Sequence, residues 1–380
     1  MNGPPSFDPG FSTPAMTEVW TAASRVKLIL QFEASLALAL ADAGLAAAEE
    51  AEQVAAACRT PSTGAEQIVA SAWETGTPLL AIVAEIKAQL SDQSLHRLIH
   101  FGATSQDAID TAQMLAARES LTLFESSLVR IAHSMRSLIV TYRDQPQIGR
   151  TFLQHARPTT LGMRVTTWLE PLLRDLQILR EVRAGLAVQL GGPVGTGTAY
   201  GEAYPEVTAA LAKRLGLVVP PLAWHSDRSR IRTLVRAVEE PVLGLAKVAL
   251  DLALLAQTDT GEVTVRGGGS SSMAEKRNPI DPIRALAAAD ACRGAAAMIT
   301  QGRPHELDRG LGAWQVEWLA LPLVFHTAAA AGEAMERALA SLEVHSEQMA
   351  ARVTQEIAGG TVGRSIDQVL TLFEQLMEQG

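Results

Sequence analysis

Apolar residues return at helical spacing along most of the chain. In 16–58, Leu28, Leu30, Phe32, Leu36, Leu38 and Leu40 mark such a run, and Pro61-Ser62-Thr63-Gly64 ends it. A helix over 71–90 follows, interrupted near Gly76-Thr77-Pro78. Longer runs occupy 108–142, ended by Asp144-Gln145-Pro146, and 159–190, ended by Gly191-Gly192-Pro193. Pro171 inside the second removes a helical donor and predicts a kink. The run 230–258 is apolar on nearly every face, which predicts a helix buried on all sides, partly against other subunits. Asp281-Pro282 opens an Ala-rich helix with Asp as N-cap and Pro as first helical residue. Residues 317–354 are helical again, and a short segment closes the chain. There is no alternating strand pattern of useful length and no tandem repeat. The prediction is an all-α protein built as a long helical bundle.

Composition agrees with that pattern. Aromatics are only 4% while Ala and Leu abound, which favours helix over the β-branched and aromatic content of sheets. The net charge of -9 makes nucleic acid and anionic membrane poor partners in bulk. The most apolar stretch, 241–257, carries Lys247 and Asp251, so it reads as a buried helix rather than a membrane span. Cys58 and Cys292 give no disulfide framework and no zinc pattern, which fits a reducing cytoplasm. The first ten residues show no basic segment followed by an apolar run, so no signal peptide is expected.

Three polar segments break the helices. The first is Gly269-Ser270-Ser271-Ser272-Met273-Ala274-Glu275-Lys276-Arg277-Asn278-Pro279, where Gly267 to Gly269 give backbone freedom just before a helix start. Free N–H groups and positive partial charge at such a start suit an anion, although a solvated Gly-Ser linker has the same composition. The second runs from His100 to Asp110, where Thr104 or Ser105 with Asp107 forms a capping-box arrangement that a plain helix cap would also explain. His96 and His100 are four apart, but no third ligand is spaced to complete a metal site. The third runs from Gly149 to Thr160, again ahead of a long apolar helix, and could be a cap with a surface loop. If the helices bundle, three such loops can converge on one anion pocket.

At these residues the chain resembles the fumarase/aspartase superfamily. The segment Gly269-Ser270-Ser271-Ser272-Met273 with Lys276-Arg277-Asn278-Pro279 resembles its signature loop, and the segments around Thr104 and from Gly149 to Thr160 match its other two regions in order. Within the superfamily the muconate cycloisomerase branch fits best. His100-Phe101-Gly102-Ala103-Thr104-Ser105-Gln106-Asp107, Gly149-Arg150-Thr151-Phe152-Leu153-Gln154-His155-Ala156, Gly191 to Gly195, Pro220 to His225 and Gly312 to Trp318 are all similar to it. The chain departs at Phe152, where many lyases have His, at Ala274 and Glu275 in the loop, and at Leu307, where the branch has His. The implied layout is an N-terminal helical domain at 1–105, a central bundle at 106–350 and a shortened C-terminal remnant at 351–380.

The resemblance implies cofactor-independent, metal-free proton transfer at the carbon beside a carboxylate. The partner it implies is a small di- or tricarboxylate, and the assembly a homotetramer with shared sites. Ser270 would be the catalytic serine, with Ser271 the fallback. Lys276 and Asn278 would stabilise the carbanion's charge, while His155 or His100 orients substrate or donates a proton. Thr104, Ser105, Gln154, Thr159, Met273 and Arg309 would hold the substrate. The cycloisomerase reading has the substrate's own carboxylate close onto a double bond. The alternative is a lyase that releases fumarate from a substituted succinate. A non-catalytic structural protein on the same fold is the third reading, and Ser270, Lys276 and Asn278 argue against it.

Overall fold

The computed structural model of the chain describes residues 10–59, 63–269, 272–273, 276–355 and 359–378. Five short or medium helices come first: α1 (Pro14–Val19), α2 (Ala22–Asp42), α3 (Ala48–Ala57), α4 (Ala65–Thr75) and α5 (Leu79–Ala88). The run expected over 16–58 is therefore three helices. Thr21 caps α2 by accepting from Ser24, and Gly44, at φ 74, sits in the turn that separates α2 from α3. Gly76, in the left-handed region at φ 74, closes α4 where the break near Gly76 was predicted.

The centre is a bundle of five long helices: α6 (Ser105–Thr141), α7 (Leu161–Ala184), α9 (Ser229–Leu255), α10 (Ile280–Thr300) and α11 (Ala313–Ala340). They pack against one another, while α8 (Tyr204–Leu215) lies on α2 and α13 (Gly359–Glu378) lies on α7. Pro171, Pro241 and Pro322 all sit inside helices that continue through them. Phe32, Leu121, Phe124 and Phe325 are among the side chains that fill the core. At about 1.5 Å per residue, the 37 residues of α6 make a rod roughly 55 Å long. That length sets the distance between the two ends of the molecule.

Four expectations need correction. Helix α9 is one-sided in the single chain: Leu234, Val238, Leu245 and Leu252 are buried, but Arg236, Glu240, Lys247 and Leu250 are exposed. Helix α7 stops at Ala184, six residues early, because 186–188 leave it to pair with Val218. Helix α10 starts at Ile280, so Asp281 is not its cap but a buried residue paired with Arg337 at 3.3 Å. The helix expected to run to 354 ends at Ala340, before α12 (Ser346–Ala351).

Strands also occur. β1 (Pro146–Thr151) and β2 (Gln154–Thr160) form an antiparallel hairpin, and β3 (Val263–Thr264) pairs with β4 (Glu343–Val344). The hairpin is held by polar side chains rather than an apolar face. Gln147 and Glu262, both fully buried, hydrogen-bond at 2.8 Å; Arg150 pairs with Glu262, and Arg164 donates to Gln147 at 2.5 Å. Gly149 lies where the register shifts, and a Cβ there would be 2.5 Å from the Arg157 carbonyl oxygen.

Candidate active site

At the N-terminal end of α6 the chain ties three segments together through one carboxylate. Asp107, fully buried, accepts from the Thr104 N–H at 3.0 Å and the Gly192 N–H at 2.9 Å, and its other oxygen meets His225 Nε2 at 2.6 Å. The 191–195 turn thereby docks against the α6 start. Gly192 is required there: its φ is +71, and a Cβ would lie 2.6 Å from the Gly102 carbonyl oxygen. Arg309 reaches the same place, donating to Thr104 Oγ1 at 2.8 Å and to the Pro193 carbonyl at 3.3 Å.

His100 sits on the rim of this cluster with a constrained backbone, φ 54. Its N–H donates to Glu33 at 3.1 Å and its Nδ1 lies 2.6 Å from the same carboxylate. Burial alone would lower its pKa, but Glu33, by charge and hydrogen bond, outweighs burial and holds it above the usual histidine value. His96 goes elsewhere, to the Lys87 carbonyl at 3.2 Å, so the two histidines do not share a ligand. Among the described residues no group of three His, Cys, Asp or Glu side chains is placed to hold a metal ion.

Beneath the cluster lies a buried ion network. Arg228 pairs with Asp110 at 2.7 Å and with Glu317 at 2.5 Å, its guanidinium lies 4.8 Å from the Trp224 ring, and Trp314 donates to Asp110 at 2.9 Å. Such a network is costly to break, because any one deletion strands a buried charge. The motif segments contain Asp107, Asp110, His225 and Glu317, but nothing in the sequence assigns any of them a role beyond the Asp107 cap, and Arg228 lies outside the motifs. The available signal was acidic residues at 107, 110 and 317 on otherwise apolar helical faces.

The remaining candidates stand at the other end of the molecule. Thr160, not Thr159, caps α7 by accepting from Met163 at 3.0 Å; Thr159 is half-buried in β2. Gln154 and His155 are exposed beside a two-residue tip, Phe152-Leu153, whose φ values are 51 and 63. The Gly-Ser segment leaves β3 at this same end. Gly268 and Asn278 pair through both backbone hydrogen bonds, 3.0 and 3.1 Å, which pins the two ends of the segment together. Met273 and Lys276 are exposed and Asn278 is half-buried. Ser270 and Ser271, like Ala274 and Glu275, lie outside the described residues.

One chain thus brings His100, Thr104, Ser105 and Arg309 together, and separately brings Gln154, His155 and Thr159 to the end that holds Met273, Lys276 and Asn278. The length of α6 lies between the two groups. Within a single chain the three polar segments do not converge.

These features define a lyase-type helical enzyme. A family model described as Lyase matches residues 10–290, and the chain belongs to that family, as an enzyme of the fumarase/aspartase superfamily. Among its relatives is the 3-carboxy-cis,cis-muconate cycloisomerase of Pseudomonas aeruginosa, 38% identical over 352 residues, covering 90% of this chain and 76% of the relative. The trans-aconitate decarboxylase 1 of Mycosarcoma maydis is 32% identical over 344 residues, covering 89% and 70%. The crystal structure of the 3-carboxy-cis,cis-muconate lactonizing enzyme from Pseudomonas putida superposes with a TM-score of 0.84 at 32% identity, covering 97% of this chain and 86% of that one. The all-α fumarase/aspartase-like fold inferred from sequence is the fold observed.

Proposed function

We propose that the protein lactonises 3-carboxy-cis,cis-muconate without a cofactor, in sites assembled between copies of a homotetramer. The observation that carries the reading is the pair of complementary half-sites. One end of the chain presents His100, Thr104, Ser105 and Arg309, the other presents Gln154, His155 and Thr159 and the segment bearing Lys276 and Asn278. Each lacks what the other holds. The exposed tip supports assembly, since Phe152 is fully exposed and strained in the lone chain. The similarity to a muconate cycloisomerase at 38% identity supports the substrate.

In this reading a substrate carboxylate oxygen forms the new C–O bond at one alkene carbon, and a proton is delivered to the neighbouring carbon. Atoms are conserved, as an isomerisation requires. Ser270 gives the proton, while Lys276, Asn278 and the positive start of α10 stabilise charge spread into the adjacent carboxylate. Arg309, Thr104, Ser105 and His100 hold a second carboxylate, and Gln154, His155 and Thr159 fix the rest. The setting is cytoplasmic and the role is in aromatic catabolism.

The test is ultraviolet absorbance of 3-carboxy-cis,cis-muconate in the presence of the enzyme. Loss of the diene absorbance with formation of a lactone is expected. No change at stoichiometric enzyme removes this substrate, and fumarate release from a panel of substituted succinates would establish the lyase reading instead.

A further inference from the structure

A cavity, partly open to solvent where the exposed Val69 lines it, lies between the N-terminal helices and the bundle. Its volume is about 80 Å³, several times what one water molecule needs. Most of its wall is apolar, from residues such as Val26, Ile29 and Ile109, and no acidic side chain lines it. Three polar groups face this greasy space. Gln113 is 3% exposed, and neither its oxygen nor its nitrogen has a partner. The Trp318 Nε1–H is likewise buried and unpartnered. Arg25 lines the same cavity with no ion pair among the described residues, and burial without a counter-charge lowers its pKa.

Unpartnered buried polar groups are rare and costly, so Gln113 and Trp318, with the half-buried cation Arg25 beside them, mark a place built for an occupant. The inventory states its chemistry. Arg25, Trp318 Nε1 and Gln113 Nε2 donate, whereas Gln113 Oε1 is the lone acceptor. Water would satisfy the hydrogen bonds but leave the cation uncompensated. We propose that this cavity is a binding site for a small organic monocarboxylate with an apolar body, its carboxylate held by Arg25, Gln113 and Trp318. The site is separate from the half-sites described above and stands independently of the reaction assigned to them. Its far wall touches the ion network, because Trp318 stacks edge-on against Trp314, the donor to Asp110.

Butanoate and benzoate are suitable probes, each against its neutral amide, on the full chain. Trp20 and Trp318 line the cavity, so tryptophan fluorescence reads occupancy and calorimetry gives the affinity. At least one carboxylate should bind saturably and at least tenfold tighter than its amide. Gln113→Leu and Arg25→Met, which keep size and remove hydrogen bonding or charge, should each weaken it tenfold or more. Arg309→Ala should leave this binding unchanged, which separates it from capture at the substrate site. Trp318→Phe keeps an aromatic wall, loses the N–H, and is the check should either of the first two variants misfold. Absence of saturable binding, equal affinity for acid and amide, or full affinity in the variants would overturn the site.

Discussion

His100 joins a backbone in the left-handed region to a ring locked by Glu33, a carboxylate only 2% exposed. Non-glycine residues hold such a backbone at a cost, and Asn is among those that tolerate it best. The pair also makes stability depend on pH in a definite direction. The folded-state pKa of His100 is raised above the unfolded value of about 6.5, so the stabilisation is fully present below that pH and is lost as pH rises through the raised value. His100→Asn keeps the backbone and removes the titrating ring. Its melting temperature should fall furthest below that of the parent near pH 6, by the equivalent of about 2 kcal/mol for a charged hydrogen bond, and the gap should narrow towards pH 9. A gap that is constant with pH would show that the ion pair contributes nothing. At this scale the sequence disclosed the ring and its position beside Thr104, but not its partner, because Glu33 lies 67 residues earlier on another helix.

Among the elements, the long helices were legible because their stability comes from one continuous apolar face, which leaves a 3.6-residue period in the chain. The β1–β2 hairpin left no such trace. Its buried positions include Gln147, satisfied by Glu262 and Arg164, and its remaining residues are half-buried or exposed without alternation. The motif residues of the candidate site were readable by resemblance, while the pairings Asp107–His225 and Asp110–Arg228–Glu317 that support them were not, since these join α6 to segments more than a hundred residues away. The hairpin tip poses its own problem. Two positive φ angles in a two-residue loop call for Asn-Gly, yet Phe152-Leu153 stands there with the Phe ring fully exposed. Were the tip bathed in water, Phe152→Asn with Leu153→Gly would stabilise the protein by about 1 kcal/mol. Because the reading here seats the tip against another copy, the double variant should instead lose assembly on dilution. Light scattering across a concentration series should show smaller particles at concentrations where the parent remains whole, and an unchanged profile would place the tip in solvent.

For the molecule as a whole, the decisive dimension is the roughly 55 Å of α6 between the two half-sites. Under the proposed function, a complete site forms only where another copy is met, with the N-terminal end of α6 in one facing the hairpin and Gly-Ser end of another. Exposed apolar side chains on the bundle, among them Ile283 on α10 and Leu319 and Leu323 on α11, supply surface for that meeting. The consequence can be tested without a structure of the assembly. Arg309→Ala disables one half-site and Lys276→Ala the other, so each variant alone should lose at least a hundredfold in kcat/KM, the scale set by removing a preorganised charge from the site. Subunits of the two variants, dissociated, mixed in equal amounts and reassembled, redistribute at random. A site drawing Arg309 and Lys276 from different copies then has both wild-type residues in about a quarter of cases, so about a quarter of the parent activity should return. Were both residues contributed to one site by a single chain, no mixing could place two intact residues together, and the mixture would stay as inactive as its components. Recovery therefore depends on the shared architecture alone, whichever carboxylate the enzyme turns over.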